Sequence, residues 1–203
     1  MSVPSNTYLR YTSVGVREDL ANVIYDISPT DTPIMSSIGK AKATQTNHEW
    51  QTDALAAATT ANALIEGDDA AAASLSPTTR VGNFTQIVGK TVQISGTLEA
   101  VDKAGRKSEK AYQLAKAASE IKRDIETIIT ANQAKSNGTA TSGARVMGSL
   151  LSYITSNVSK GSAGTNPTGD GSDVRSDTTT RTFLESMLKD VAQQIFEDGG
   201  TPK

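Results

Sequence analysis

The stretch Val16–Asp53, VREDLANVIYDISPTDTPIMSSIGKAKATQTNHEWQTD, decides how the rest of the chain is read. Leu20, Val23, Ile24 and Ile27 recur at spacings of three and four, which predicts a short amphipathic helix from Val16 to Ile27. The Ser28-Pro29 step stops it, because a proline ring disfavours helical geometry at the residue before it. Pro29 and Pro33 each fix φ and lack an N–H, so Thr30-Asp31-Thr32 between them reads as a turn. Such a corner either redirects an arm across a neighbouring subunit or is an ordinary connecting loop. Beyond it, Thr46, His48 and Trp50 alternate with Asn47, Glu49 and Gln51, a strand from Thr44 to Thr52 that is polar on both faces and has no core of its own to cover.

Working outward, Ala54 to Ala73 is dominated by Ala and Thr and broken by Glu66-Gly67-Asp68-Asp69, a turn signal at the tip of a loop. The chain returns from Thr79 to Thr97 as a second strand, with Val88, Val92 and Ile94 on one face and Ile87, Thr91 and Gln93 on the other. Out, tip and back describe a long two-stranded ribbon. A lone hairpin is marginal in water, so the ribbon needs a partner to lie on, and this is the strongest argument from the residues alone for assembly.

Ser108 to about Ala134 carries Ala111, Leu114, Ala118, Ile121, Ile125 and Ile128 in one stripe and is read as a helix of roughly 40 Å. Its other face bears Glu109, Lys110, Lys116, Lys122, Arg123 and Glu126. A coiled-coil seam competes, but the pattern is short and often alanine. Val146, Leu150, Leu151 and Ile154 mark an apolar segment, and Ser156 to Ser172 is a Gly/Ser/Thr/Asn loop whose composition favours flexibility over packing. A last helix is expected from Thr182, where Thr182-Phe183-Leu184-Glu185 fits a capping box, to the stop at Gly199-Gly200 and Pro202. Phe183, Leu184, Met187, Leu188, Val191, Ile195 and Phe196 give that helix a broad apolar face.

Composition narrows the chemistry. The 203 residues hold 20 basic and 22 acidic side chains, a formal charge of −2, which provides no electrostatic reason for tight binding to phosphates. Cysteine is absent, which excludes disulfides, thiolate metal sites and cysteine nucleophiles. His48 is the single histidine, and it lies in a polar strand, so it reads as a structural or interface residue rather than a catalytic base. Trp50 reads as a packing residue at the base of the ribbon. Gly89-Lys90-Thr91 lacks the glycine spacing and the following helix of a phosphate loop. Glu66, Asp68 and Asp69 lack calcium-loop spacing and read as a solvated tip, with a weak divalent-ion site at a subunit contact as the alternative. No catalytic, cofactor or metal site is expected. The N-terminus has no secretory pattern and no apolar run reaches the roughly 20 residues of a membrane span, so synthesis in a cytoplasm is the default.

VREDLANVIYDISPTDTPIMSSIG, NHEWQTDAL, the Glu66-Gly67 tip and FLESMLKDVAQQIFEDGGTP, taken in that order, resemble the major capsid proteins of tailed bacteriophages with the Hong Kong 97-type fold. The resemblance implies an α+β chain with an N-terminal arm at 1–42, an extended loop at 43–97, spine-helix and peripheral-domain material at 98–154, and the start of an axial domain at 155–203. It implies self-association into hexamers and pentamers of an icosahedral shell that confines packaged double-stranded DNA. Scaffold, portal and decoration proteins are the further partners it suggests, and the location is the virion, after synthesis in the host bacterial cytoplasm. On that analogy Pro29, Asp31, Pro33, His48, Trp50, Glu66, Asp68 and Asp69 are expected at subunit interfaces. Family members continue past the Gly-Gly helix, so the axial domain is expected to be incomplete at Lys203. Two other classes fit the composition: a flagellin-like or other filament subunit, and a fragment of an enzyme.

Overall fold

A computed structural model of the chain describes residues 7, 14, 22–69, 72, 74–139, 141, 143–177 and 180–202. The elements are α1 (Pro33–Ser37), β1 (Asn47–Thr52), β2 (Thr79–Phe84), α2 (Gly96–Ala100), α3 (Glu109–Thr130), a 3-10 turn (Leu150–Ser152) and α4 (Glu185–Glu197), so the chain is of mixed helix and strand. They fall into two compact units, Met1–Asp31 with Lys90–Ile121, and Thr32–Gly89 with Lys122–Lys203.

In the first unit the start of α3 is tied down by side chains. Ser95 caps α2 by accepting the Leu98 N–H at 3.2 Å. The carboxylate of Glu99 accepts the N–H groups of Glu109 (3.0 Å) and Lys110 (3.2 Å), and Ser108 Oγ accepts that of Ala111 (3.1 Å). Three donors that every helix start leaves orphaned are thus satisfied. The long helix expected from Ser108 is α3, with Ser108 directly before its first residue. Among the described residues, Ala117 on α3 is the single buried Ala, Val, Leu, Ile, Met or aromatic side chain. The buried line of α3 therefore runs through Glu109 and Ala117, whereas Leu114 of the expected stripe is 51% exposed.

The helix expected over Val16–Ile27 is corrected where it can be seen: residues 23–27 are irregular, and 15–21 lie outside the described residues. Ile27 is 95% exposed and Tyr25 80% exposed, so the apolar face has little to lie on. Asp26 Oδ1 accepts the Ser28 N–H at 2.9 Å, a local turn that competes with helix just before Pro29. A segment this short does not hold helix without a packed face.

In the second unit β1 and β2 pair antiparallel in the register Asn47↔Phe84 through Thr52↔Thr79, and all of β1 is exposed. The returning strand is shorter than the Thr79–Thr97 expected. Beyond Phe84 the Thr85 N–H still donates to Thr46 O, but the Thr85 carbonyl is taken by Arg145 Nε, and the Gln86 side chain turns to accept the Met147 N–H. The far end of the expected strand is helix α2. The corner after Asp31 also differs, because Pro33 begins α1, where its missing N–H is no loss.

α3 ends at Thr130, a few residues before the expected limit. Asn132 exchanges two hydrogen bonds with the Arg175 backbone, and Gln133 bonds Met147 and Ser149, which pulls the chain out of the helix. The glycine-rich loop is built of tight hydrogen-bonded turns rather than open linker. Thr165 and Ser176 form a reciprocal backbone pair at 3.0 and 3.1 Å, and Gly169 and Gly171 adopt positive φ. The capping box at Thr182 is absent: α4 starts at Glu185 with Leu184 as N-cap and no side-chain cap, because residues 181–184 are not helical. Its end is as expected. Gly199, at φ 83°, donates to Phe196 O at 3.0 Å and Gly200 donates to Ile195 O at 2.8 Å, the paired bonds of a Schellman stop.

Candidate assembly surface

The ribbon and its loop supply the largest run of exposed surface in the second unit. Residues 53–69 and 74–80 are exposed throughout, and Leu55, Leu64, Ile65 and Leu75 are 77–100% open to solvent. Scattered apolar side chains on a surface need no explanation, but four on one loop with no core beneath them suit a contact surface. Glu49 and Arg80 pair across the ribbon at 3.7 Å, a contact worth little because both side chains are exposed.

The base of the ribbon is held firmly. Asn83 exchanges two hydrogen bonds with the backbone of Gly148, giving its N–H an acceptor at 2.8 Å and donating to its carbonyl at 2.9 Å. The Gly82 carbonyl accepts both Lys135 Nζ (2.7 Å) and the Tyr153 hydroxyl (3.1 Å). Trp50 packs on Tyr153, with ring centroids 5.7 Å apart, and His48 lies 6.2 Å from Trp50 on the same strand face. Burial, then the charge of Asp170, pushes the Tyr153 phenol up to about 12, so it remains a hydrogen-bond donor at neutral pH. Asp170 is held at about 2, first by the Ser172 hydroxyl and backbone N–H and then by Thr168 and the Lys135 charge.

Of the residues singled out from sequence, His48 and Trp50 thus come together at the ribbon base. Glu66, Asp68 and Asp69 sit exposed at a turn, where Gly67 has φ 81° and the Asp68 N–H donates to Ile65 O at 3.3 Å. No hydrogen bond or ring contact between described residues joins that turn to His48 or Trp50. Pro29 and Asp31 are exposed in the first unit, and Pro33 opens α1 in the second. Among the described residues, no group of three or more acidic or histidine side chains gathers as a metal cluster, and no helix is long and apolar enough to cross a membrane.

Sequence reasoning missed Lys135, Tyr153, Asn83 and the glycines at 82, 148 and 171. Nothing periodic marks them, since Lys135, Tyr153 and Asn83 reach distant backbone through their side chains, and the glycines supply that backbone or the room for it. The leucines at 55, 64 and 75 were not singled out either; the signal they offered is a large apolar side chain in or beside an Ala/Thr tract.

Over 130 residues the chain is 41% identical to a major capsid protein of Escherichia phage Phieco32, a match that takes up 64% of this chain and 37% of that protein's length. The chain thus spans well under two thirds of that relative. The model of the SU10 major capsid protein family matches residues 3–203. With nearly every residue inside that match, the chain belongs to the SU10 major capsid protein family.

Proposed function

We propose that the chain is a structural coat subunit of a tailed-phage virion, with the Hong Kong 97-type architecture. The observation that carries the reading is the family match over residues 3–203. The exposed ribbon and the scarcity of buried apolar side chains support it, because such a surface gains stability when a neighbour covers it. On this reading 1–42 is the arm, 43–97 the extended loop, 98–154 spine and peripheral material, and 155–203 the start of an axial domain. Copies associate as hexamers and pentamers, and the shell confines double-stranded DNA without gripping it, in keeping with a formal charge of −2. Pro29, Asp31, Pro33, His48, Trp50, Glu66, Asp68 and Asp69 face neighbouring copies, and scaffold, portal and decoration proteins are further partners. The family match favours this over a filament subunit.

Electron microscopy of the expressed protein, with mass spectrometry of the same sample, tests the reading. Closed shells or rings of six and five copies are expected. Filaments, or a dispersed monomer at high concentration, would overturn it.

A further inference from the structure

The ribbon has no core of its own, so the direction in which it leaves its unit is set at its base. Thr85 N–H donates to Thr46 O at 2.9 Å, which marks a hydrogen-bonded pair. Three positions along the ladder, Glu49↔Gly82 therefore falls at a non-hydrogen-bonded place, and the Gly82 carbonyl points away from β1. Two donors use it, Lys135 Nζ at 2.7 Å and the Tyr153 hydroxyl at 3.1 Å, which together satisfy both lone pairs. Lys135 Nζ also donates to the Asp170 carbonyl, and the Lys135 backbone N–H donates to Gly171 O at 2.7 Å. The Tyr153 ring fits because Gly171 lacks a side chain: a Cβ there would fall on the phenol. A side chain at Gly82 would likewise lie 2.7 Å from Glu49 Cγ.

Two separate parts of the second unit thus converge on one carbonyl, the segment after α3 and the residue after the 3-10 turn, and the turn at 168–173 lies against both. We propose that Lys135 and Tyr153 are positioning residues that set the angle of the ribbon, with the 168–173 turn as their seat. The proposal deepens the coat-subunit reading and rests on it for its consequence. Gly82 and Gly67 are 15 residues apart, at most roughly 50 Å of chain, so a tilt of about 10° at the base displaces the tip by up to roughly 9 Å. A displacement of that size would take the loop off a contact made elsewhere.

The test is amide hydrogen exchange on the full, unassembled chain, comparing wild type with Lys135→Met, Tyr153→Phe, the double variant and Lys135→Arg. Exchange in β1 and β2 is expected to rise about tenfold in the double variant and less in each single one, with α3 and α4 unchanged. Lys135→Arg, which retains a cationic donor of similar reach, is expected to restore protection. Unchanged ribbon exchange in the double variant would overturn the proposal, as would a rise in α3 equal to that in the ribbon, which marks general loosening. In a second arm, electron microscopy of assembled material is expected to show malformed particles from the double variant and normal ones from Lys135→Arg. Normal particles from the double variant would overturn the role in assembly. If wild type forms no particles, the coat-subunit reading fails, and the exchange result still decides the anchor.

Discussion

Tyr153 concentrates several demands on one side chain. Its ring packs on Trp50, its hydroxyl holds Gly82, and its burial beside Asp170 pushes the phenol up to about 12. A phenol raised in the folded state contributes stability that is fully present below its unfolded value of about 10 and is lost as pH rises through about 12. The melting temperature of wild type is therefore expected to fall more steeply between pH 10 and 12 than that of Tyr153→Phe. Parallel slopes in thermal melts across that window would refute the link. Asp170 has the opposite sign: held at about 2, it contributes above its unfolded value near 3.9 and loses that contribution as pH falls through about 2. Its exposure means that solvent screens much of the effect. Gly171 is the complementary residue, with φ 83° and no room for a Cβ. Gly171→Ala is expected to destabilise by about 2–4 kcal/mol, combining left-handed strain with overpacking, as read from a denaturant midpoint.

At the level of elements, side-chain capping does work that apolar packing does elsewhere. α1 has five residues and no buried side chain, so propensity alone does not account for it. Glu126 of α3 accepts the N–H groups of Ile34 (2.9 Å) and Met35 (2.8 Å), and both elements' parts lie in the second unit. Hydrogen bonds to a charged acceptor contribute about 1.5–3 kcal/mol each. Glu126→Ala is expected to speed exchange of the Ile34 and Met35 amides by about tenfold or more while the α3 amides stay protected. Unchanged exchange at those two positions would show that α1 is held by something else. α4 is the contrasting case, since it has a Schellman stop but an apolar face left largely open, with Leu188 61% and Phe196 73% exposed.

For the whole molecule, the balance between buried and exposed apolar groups is the informative quantity. Ala117 is the one Ala, Val, Leu, Ile, Met or aromatic side chain buried among the described residues, while Leu55, Leu64 and Leu75 are at least 89% exposed. Covering such a side chain is worth about 1.5–3 kcal/mol, so association is the available source of stability for the loop. Deleting Thr52–Thr79 is expected to abolish normal particles while the circular dichroism of α3 persists. Replacing Trp50 by alanine is expected to act in the same direction more weakly, because the Lys135 and Tyr153 bonds to Gly82 remain. Normal particles from the deletion, seen by electron microscopy, would remove the assembly role of the loop.

The features legible in the linear chain were those carried by local patterns. Alternation around His48 and Trp50 marked β1, Gly67 among acids marked the turn, three-and-four spacing marked α3, and Gly199-Gly200 marked the end of α4. Each rests on a periodicity or a φ requirement that a few neighbouring residues satisfy. The same patterns misled where tertiary context overrode them, as at Ile27, which had no face to pack on, and after Phe84, where Arg145 Nε takes the Thr85 carbonyl. Sequence alone thus determined the ribbon, the long helix, the helix stop and the family. Only the tertiary structure decided that Lys135, Tyr153 and the turn at Gly171 seat the ribbon on Gly82, because a side-chain bond to a backbone group 53 or 71 positions away follows no sequence period and is selected by proximity in the folded chain.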